Sequence, residues 1–252
     1  MKKQPWWQDL KKIGSWPLGW LAEVEFPDQR KAQKEKGRKW PRIEVGGDTM
    51  RVGKTTAAVV LNEQFKRRGL SVNLSDEDWQ SNPYLFESYR DSSKTIFESQ
   101  KWFAQRKYEQ LGRENNSIMI QCVHPEMDFC YALTNAIMGK MNQRHFKAYM
   151  RVYLSLGWDK IAAPDLLVYV TASDDILVNR AQRSARDFEV IDPEYLLVMK
   201  FLNQTWLSGA KKRMEVLVID TDNFNFALNQ KSRKELSDQV IKKLKQRGWR
   251  LK

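Results

Sequence analysis

Gly53, Lys54, Thr55 and Thr56 form a short run of residues suited to holding phosphate. In the pattern G-x-x-x-x-G-K-[ST], set between a buried strand and a helix, glycines let backbone N–H groups cradle the phosphates. The lysine reaches the outer phosphates and the hydroxyl holds magnesium. Residues 42–56 read Arg-Ile-Glu-Val-Gly-Gly-Asp-Thr-Met-Arg-Val-Gly-Lys-Thr-Thr, so the second half of that pattern is intact. The first half is altered. Counting back from Gly53 puts Asp48 at the first glycine position, with Gly47 one residue early, and Met50, Arg51 and Val52 stand where bare backbone should approach the ligand. An anionic Asp48 and three side chains in the cradle predict an impaired site for ATP and magnesium.

These residues need a strand before them and a helix after them, and the chain supplies both. Ile43–Val45 reads as a strand, and Lys54–Arg68 as a helix ended by Gly69. Further strands are expected at 71–74, 117–121, 166–170 and 216–220. Helices are expected at 94–111, 129–138, 145–156, 174–182, 194–207 and 233–246. Short apolar strands alternating with helices predict an α/β domain over residues 42–252, with a parallel sheet covered on both faces. A nucleotide would then sit at the C-terminal edge of that sheet.

Composition bounds the partners. The chain has 252 residues and a formal net charge of +12, which suits an acidic partner: nucleotide, nucleic acid, anionic lipid or an acidic protein face. Cys122 and Cys130 are too few for a disulfide framework, and two histidines exclude a His-rich metal centre. No apolar run is long enough to span a bilayer, and no signal-peptide core or Arg-rich presequence is evident at the N-terminus. Residues 1–41 stand apart as a basic extension. Trp6, Trp7, Trp16 and Trp20 cluster there with Leu10, Ile13, Leu18 and Leu21, ahead of a charged run from Asp28 to Lys39. Four tryptophans are a large apolar load to leave in water, so the extension reads as a docking element for protein subunits, with anionic lipid as a peripheral contact.

Several segments in fixed order resemble the deoxynucleoside kinase family. Ser81-Asn-Pro-Tyr-Leu-Phe-Glu-Ser-Tyr-Arg-Asp91 is similar to its Asn-Pro-[FY]-Leu segment, and Phe97-Glu-Ser-Gln100 to its F-x-x-Q helix. Pro164–Val170 is similar to the strand before its lid, Asp192–Trp206 to the helix after it, and Val216–Asp220 to its last strand. The resemblance spans roughly residues 42–226 and implies a P-loop kinase fold: five parallel strands flanked by helices, with an arginine-rich lid over the phosphates. It also implies roles. Glu77, five residues before Asn82, falls where the family has its catalytic base, with Asp76 and Asp78 as neighbours one residue away on either side. Gln100 falls where an amide reads the nucleobase, and Lys107 beside the substrate. Arg180, Arg183 and Arg186 are the lid cations, and Thr55 would hold magnesium.

Other family positions are changed. After its third strand the family carries Asp/Glu-Arg-Ser, whose arginine neutralises phosphate. Here the strand runs into Cys122-Val-His-Pro-Glu126, with no arginine and only His124 as a donor. In the lid, Ser184 occupies the place of a central arginine. Phosphoryl transfer depends on positioned cations, one catalytic arginine being worth about a thousandfold or more. Three changes that all bear on phosphate favour a catalytically impaired, structural accessory subunit of a larger assembly. It would be similar to the kinase-fold accessory subunit of mitochondrial respiratory complex I, on the matrix side of the inner membrane. The alternative is an active kinase transferring the ATP γ-phosphate to the 5′-hydroxyl of a deoxynucleoside, placed in the cytoplasm. A nucleic-acid binder is a third reading, resting only on charge and tryptophan content.

Overall fold

A computed structural model describes residues 39–113, 116–161 and 163–251; most of the N-terminal extension, and with it the docking expectation, lies outside the described residues. Among these the chain builds one five-stranded parallel sheet. Its strands are β1 (Arg42–Gly47), β2 (Val72–Ser75), β3 (Ile118–Cys122), β4 (Leu166–Thr171) and β5 (Val216–Asp220), in the order β2-β3-β1-β4-β5. β1 lies centrally, with Val45 opposite Cys122 on one side and Val168 on the other. All of β1 and β3, and nearly all of β4, is buried, as expected of strands covered on both faces.

The helices divide between the two faces. On one, α1 (Lys54–Arg67) and α8 (Gln230–Gln246) bury Val60, Leu61, Phe65, Leu236, Val240 and Leu244 against Ile43, Val45 and Val168. On the other, α3 (Ser92–Leu111), α4 (Pro125–Ile137), α5 (Gln143–Ser155) and α7 (Pro193–Ala210) enclose an aromatic core. Phe129, Tyr149, Tyr153, Trp158 and Trp206 are all fully buried there. Burying an aromatic or large aliphatic side chain is worth roughly 1.5–3 kcal/mol, so this layer holds the helices that carry the site.

Two further helices border the cleft: the short α2 (Leu85–Arg90), which the periodicity did not single out, and α6 (Asp174–Arg183). Several helix starts lie earlier than expected, because capping residues set them. His124 caps α4 by accepting from Glu126 N, with Pro125 at the first helical position. Asp192 caps α7 through Glu194 N and Tyr195 N, and Asn229 caps α8 through Lys231 N and Ser232 N. Gly69, at φ 76°, ends α1 where the sequence places a stop.

Candidate active site

Segments following all five strands meet in one cleft of about 960 Å³. Residues 50–53 follow β1, Glu77 and Trp79 follow β2, and Asp128 and Tyr131 lie on α4 after β3. Arg180, Arg183 and Arg186 follow β4, and Thr221 with residues 224–228 follows β5. This is the C-terminal edge of the sheet, where the strand order places a ligand crevice.

The altered loop is built differently from the expectation. Asp48 is buried and absent from the cleft lining. Its carboxylate accepts from Tyr169 OH at 3.0 Å, Thr171 Oγ1 at 2.5 Å, Ala172 N at 3.2 Å and Gln204 Nε2 at 3.2 Å. Its backbone carbonyl accepts from Asn203 Nδ2 at 2.8 Å. The charge that was expected to obstruct phosphate is instead a strut that ties the loop to β4 and α7. Val52 likewise belongs to the apolar core, packed over Gly47, where an added Cβ would stand 2.7 Å from both Val52 Cγ1 and the Val170 carbonyl. Of the three inserted side chains, Met50 and Arg51 remain partly exposed at the cleft.

Lys54, Thr55 and Thr56 all line the cleft. Lys54 Nζ donates to Thr49 O at 2.6 Å and to Tyr131 OH at 3.0 Å. Burial holds its pKa below the ordinary lysine value, against the raising effect of Glu77 and the other nearby acidic groups. The start of α1 and the Thr55 hydroxyl suit a magnesium-bound phosphate chain. Among the described residues there is no cluster of three or more His, Cys, Asp or Glu that could hold a metal ion.

The three acidic residues after β2 differ in their surroundings. Asp78, at φ 55°, is turned to Arg106, which donates to it at 2.9 and 2.7 Å. Asp76 is exposed and accepts from Glu77 N at 2.8 Å. Only Glu77 of the three lines the cleft. Gln100 does so as well, from α3.

Lys107 is a correction. It is 2 % exposed, does not line the cleft, and donates through Nζ to the Cys122 carbonyl, so it braces the end of β3 rather than facing a ligand. His124 is also removed from the site: it is buried, accepts from Glu126 N at 3.1 Å and packs on Trp206. Between them Val123 takes φ 57°, a left-handed backbone that is rare for a β-branched residue.

Asp128 was not among the residues singled out in the sequence. It is 4 % exposed and lines the cleft, and its Oδ2 has no hydrogen-bond partner. Burial raises its pKa to about 7, with Glu77 adding to the shift and Lys107 and Lys54 opposing it. A buried carboxyl with a raised pKa beside a cleft makes Asp128 a candidate site residue. Its sequence signal was faint: an acidic residue on the apolar run that opens α4.

The lid folds down onto the cleft. Arg180 donates to Thr221 Oγ1 at 2.7 Å and to its carbonyl at 3.1 Å, and Ser184 Oγ turns back to Arg180 O at 2.7 Å. Arg186 lies 3.4 Å from the centre of the Trp79 ring and pairs with Glu189 at 2.7 Å. Phe188 packs edge-on against Phe86 and Tyr89.

The model of the family described as deoxynucleoside kinase matches residues 43–245. The chain belongs to the deoxynucleoside kinase family. It is 26% identical over 183 residues to the deoxyguanosine kinase of Bacillus subtilis, covering 70% of this chain and 85% of that protein. It is 24% identical over 209 residues to the deoxyadenosine kinase of Lactobacillus acidophilus, covering 78% and 93%. Among solved structures, deoxyadenosine kinase from M. mycoides with bound dATP superposes with a TM-score of 0.65 at 21% identity, covering 80% of this chain and 99% of that one. The same enzyme with products dCMP and a flexible dCDP gives 0.65 at 20%, covering 81% and 98%. The superpositions bear out the P-loop kinase fold expected of this deoxynucleoside kinase family member.

Proposed function

We propose that this protein is an active ATP-dependent deoxynucleoside kinase, transferring the γ-phosphate of ATP to the 5′-hydroxyl of a deoxynucleoside. The observation that carries this reading is the single cleft in which Lys54, Thr55 and the lid arginines line the same space as Glu77, Gln100 and Asp128. A phosphate donor and a hydroxyl acceptor could meet there without crossing a barrier. The relatives named above as kinases of deoxyguanosine and deoxyadenosine support the same chemistry.

Each residue then has a task. Glu77 takes the proton of the 5′-hydroxyl as it attacks phosphorus. Lys54, Arg183 and Arg186 neutralise charge on the transferring group, and Thr55 would hold, through its hydroxyl, the magnesium that accompanies ATP. Gln100 offers a donor and an acceptor to a base edge, and Asp128 adds a carboxyl that can do either near neutral pH. The loop's changed sequence is compatible with this work because Asp48 is directed into β4 and α7.

The accessory-subunit reading draws on the same sequence changes and on residues 1–41, most of which lie outside the described residues. Neither the cleft nor the relatives lend it support. A phosphate-transfer assay across the four deoxynucleosides with magnesium-ATP tests the kinase reading. Turnover on at least one, in the range of roughly 1–100 per second usual for kinases, is expected. No turnover on any of them, by protein that is folded and binds ATP, would overturn it.

A further inference from the structure

Arg51 is the most unusual residue of the phosphate loop. It carries a long side chain at φ 63°, a left-handed backbone seldom adopted by bulky residues and often found where strain serves a function. Its guanidinium leaves the loop and pairs with Glu189 of the lid, whose side chain is 1 % exposed. Glu189 serves a second cation: its Oε1 accepts from Arg186 Nη1 at 2.7 Å and its Oε2 from Arg186 N at 3.0 Å. One buried carboxylate thus gathers a loop arginine and a lid arginine in the cleft that also holds Lys54 and Thr55.

We propose that Arg51 is a switching phosphate ligand: Glu189 holds it in the free protein, and the nucleotide's phosphates take that carboxylate's place on binding. This inference rests on the kinase reading above and deepens it. A carboxylate and a phosphate both offer anionic oxygens to a guanidinium, so the exchange trades one charge-assisted partner for another. Arg51 lines the same cleft as Lys54 and Thr55, so phosphates held by those residues would lie beside it. Arg51 would thereby supply, from the loop, a cation of the kind that the segment Cys122–Glu126 does not carry. The exchange also couples the two halves of the site. While Glu189 holds Arg51 the lid is latched to the loop, and phosphate arriving at the loop releases the lid carboxylate. The free-state latch is reinforced by Arg186 on Trp79 and by Phe188 between Phe86 and Tyr89.

The two partners of the ion pair are expected to act in opposite directions, which a merely structural pair would not do. Calorimetric titration of the full chain with magnesium-ATP compares wild type, Arg51→Gly, Glu189→Gln and the double variant. Glycine suits the φ of residue 51, so Arg51→Gly removes the side chain and relieves the backbone together. It is expected to weaken ATP binding about tenfold or more, the scale of one charge-assisted hydrogen bond. Glu189→Gln is expected to tighten binding, and that gain should largely vanish in the Arg51→Gly background, which separates the effect from that of Arg186. Amide exchange at residues 186–189 of ATP-free protein should quicken in Arg51→Gly. Unchanged binding in Arg51→Gly, weakened binding in Glu189→Gln, or an equal gain in both backgrounds would each overturn the proposal while leaving the kinase reading in place. A wild-type chain that binds no ATP would overturn both.

Discussion

Lys54 Nζ rests 3.0 Å from the hydroxyl of Tyr131, one helix on α1 thereby touching another, α4, across the floor of the cleft. The second tie, to Thr49 O at 2.6 Å, closes the phosphate loop on its own lysine. The ammonium is buried, and these oxygens keep it solvated in a place where phosphate would otherwise do so.

Tyr131→Phe removes one of the two ties while keeping the ring. Stability is expected to fall by about 1.5–3 kcal/mol, the range for a hydrogen bond to a charged group, with affinity for magnesium-ATP undiminished because phosphate replaces the lost oxygen. Urea denaturation with and without ATP checks both parts. A loss of ATP affinity matching the loss of stability would show that the hydroxyl serves the ligand rather than the free lysine.

Restoring the pattern's glycine at residue 48 is expected to harm the protein. Asp48→Gly leaves the buried Tyr169 hydroxyl, the Ala172 N–H and the amide of Gln204 without their acceptor. One orphaned buried polar group costs about 1–3 kcal/mol, so a loss of several kcal/mol or failure to fold is expected, with no gain in ATP affinity among molecules that fold. Asp48→Asn keeps the shape and one acceptor oxygen, and should fall between glycine and wild type. A stable Asp48→Gly variant that binds ATP more tightly would reinstate the view of Asp48 as an obstruction.

Asp48 also marks the limit of what the chain discloses before folding. The strands were legible from short apolar runs, most clearly β1, β3 and β4, since a strand buried on both faces has no polar side to blur it. The presence of Gly53, Lys54 and Glu77 at the cleft could be anticipated because the motifs that single them out are local in sequence. The direction of the Asp48 carboxylate was not, because its acceptor role depends on Thr171 and Gln204, more than a hundred residues away. Lys107 and Asp128 failed in complementary ways. On α3, Lys107 turns inward to the Cys122 carbonyl although lysine is ordinarily exposed, whereas Asp128 hides in an apolar helix yet opens onto the cleft. Neither orientation follows from residue type.

Glu77→Gln keeps the shape of the proposed base and removes its capacity to take a proton. The turnover number is expected to fall about 10²–10⁴-fold, with KM for both substrates changed little, since the amide can still accept a hydrogen bond from the 5′-hydroxyl. Steady-state kinetics on the preferred deoxynucleoside separates the two. Asp78→Asn serves as the contrast: Asp78 is tied to Arg106 outside the cleft, so its loss should leave turnover within a few-fold of wild type. Comparable losses at both positions would place the base elsewhere.

Asp128 lets the site be read by pH. In the unfolded chain its carboxyl titrates near the ordinary aspartate value of 3.8, and in the folded protein at about 7. The folded state therefore holds the proton more tightly, and stability is lost as pH rises through the window between those two values. Below the window both states are protonated and Asp128 costs nothing; above it the buried charge imposes its full penalty, at most about 4 kcal/mol for a shift of this size. Asp128→Asn cannot ionise, so it should raise the melting temperature at pH 8 relative to wild type and leave it nearly unchanged at pH 4. The same substitution should weaken binding of the preferred deoxynucleoside, because the amide fixes one donor and one acceptor where the carboxyl could change with the base it meets. Melting curves at the two pH values, with and without nucleoside, measure both effects. Equal stabilisation at pH 4 and pH 8 would mean that the gain comes from packing or hydrogen bonding and not from the removed charge. Unaltered nucleoside affinity would remove Asp128 from the binding site despite its position in the cleft.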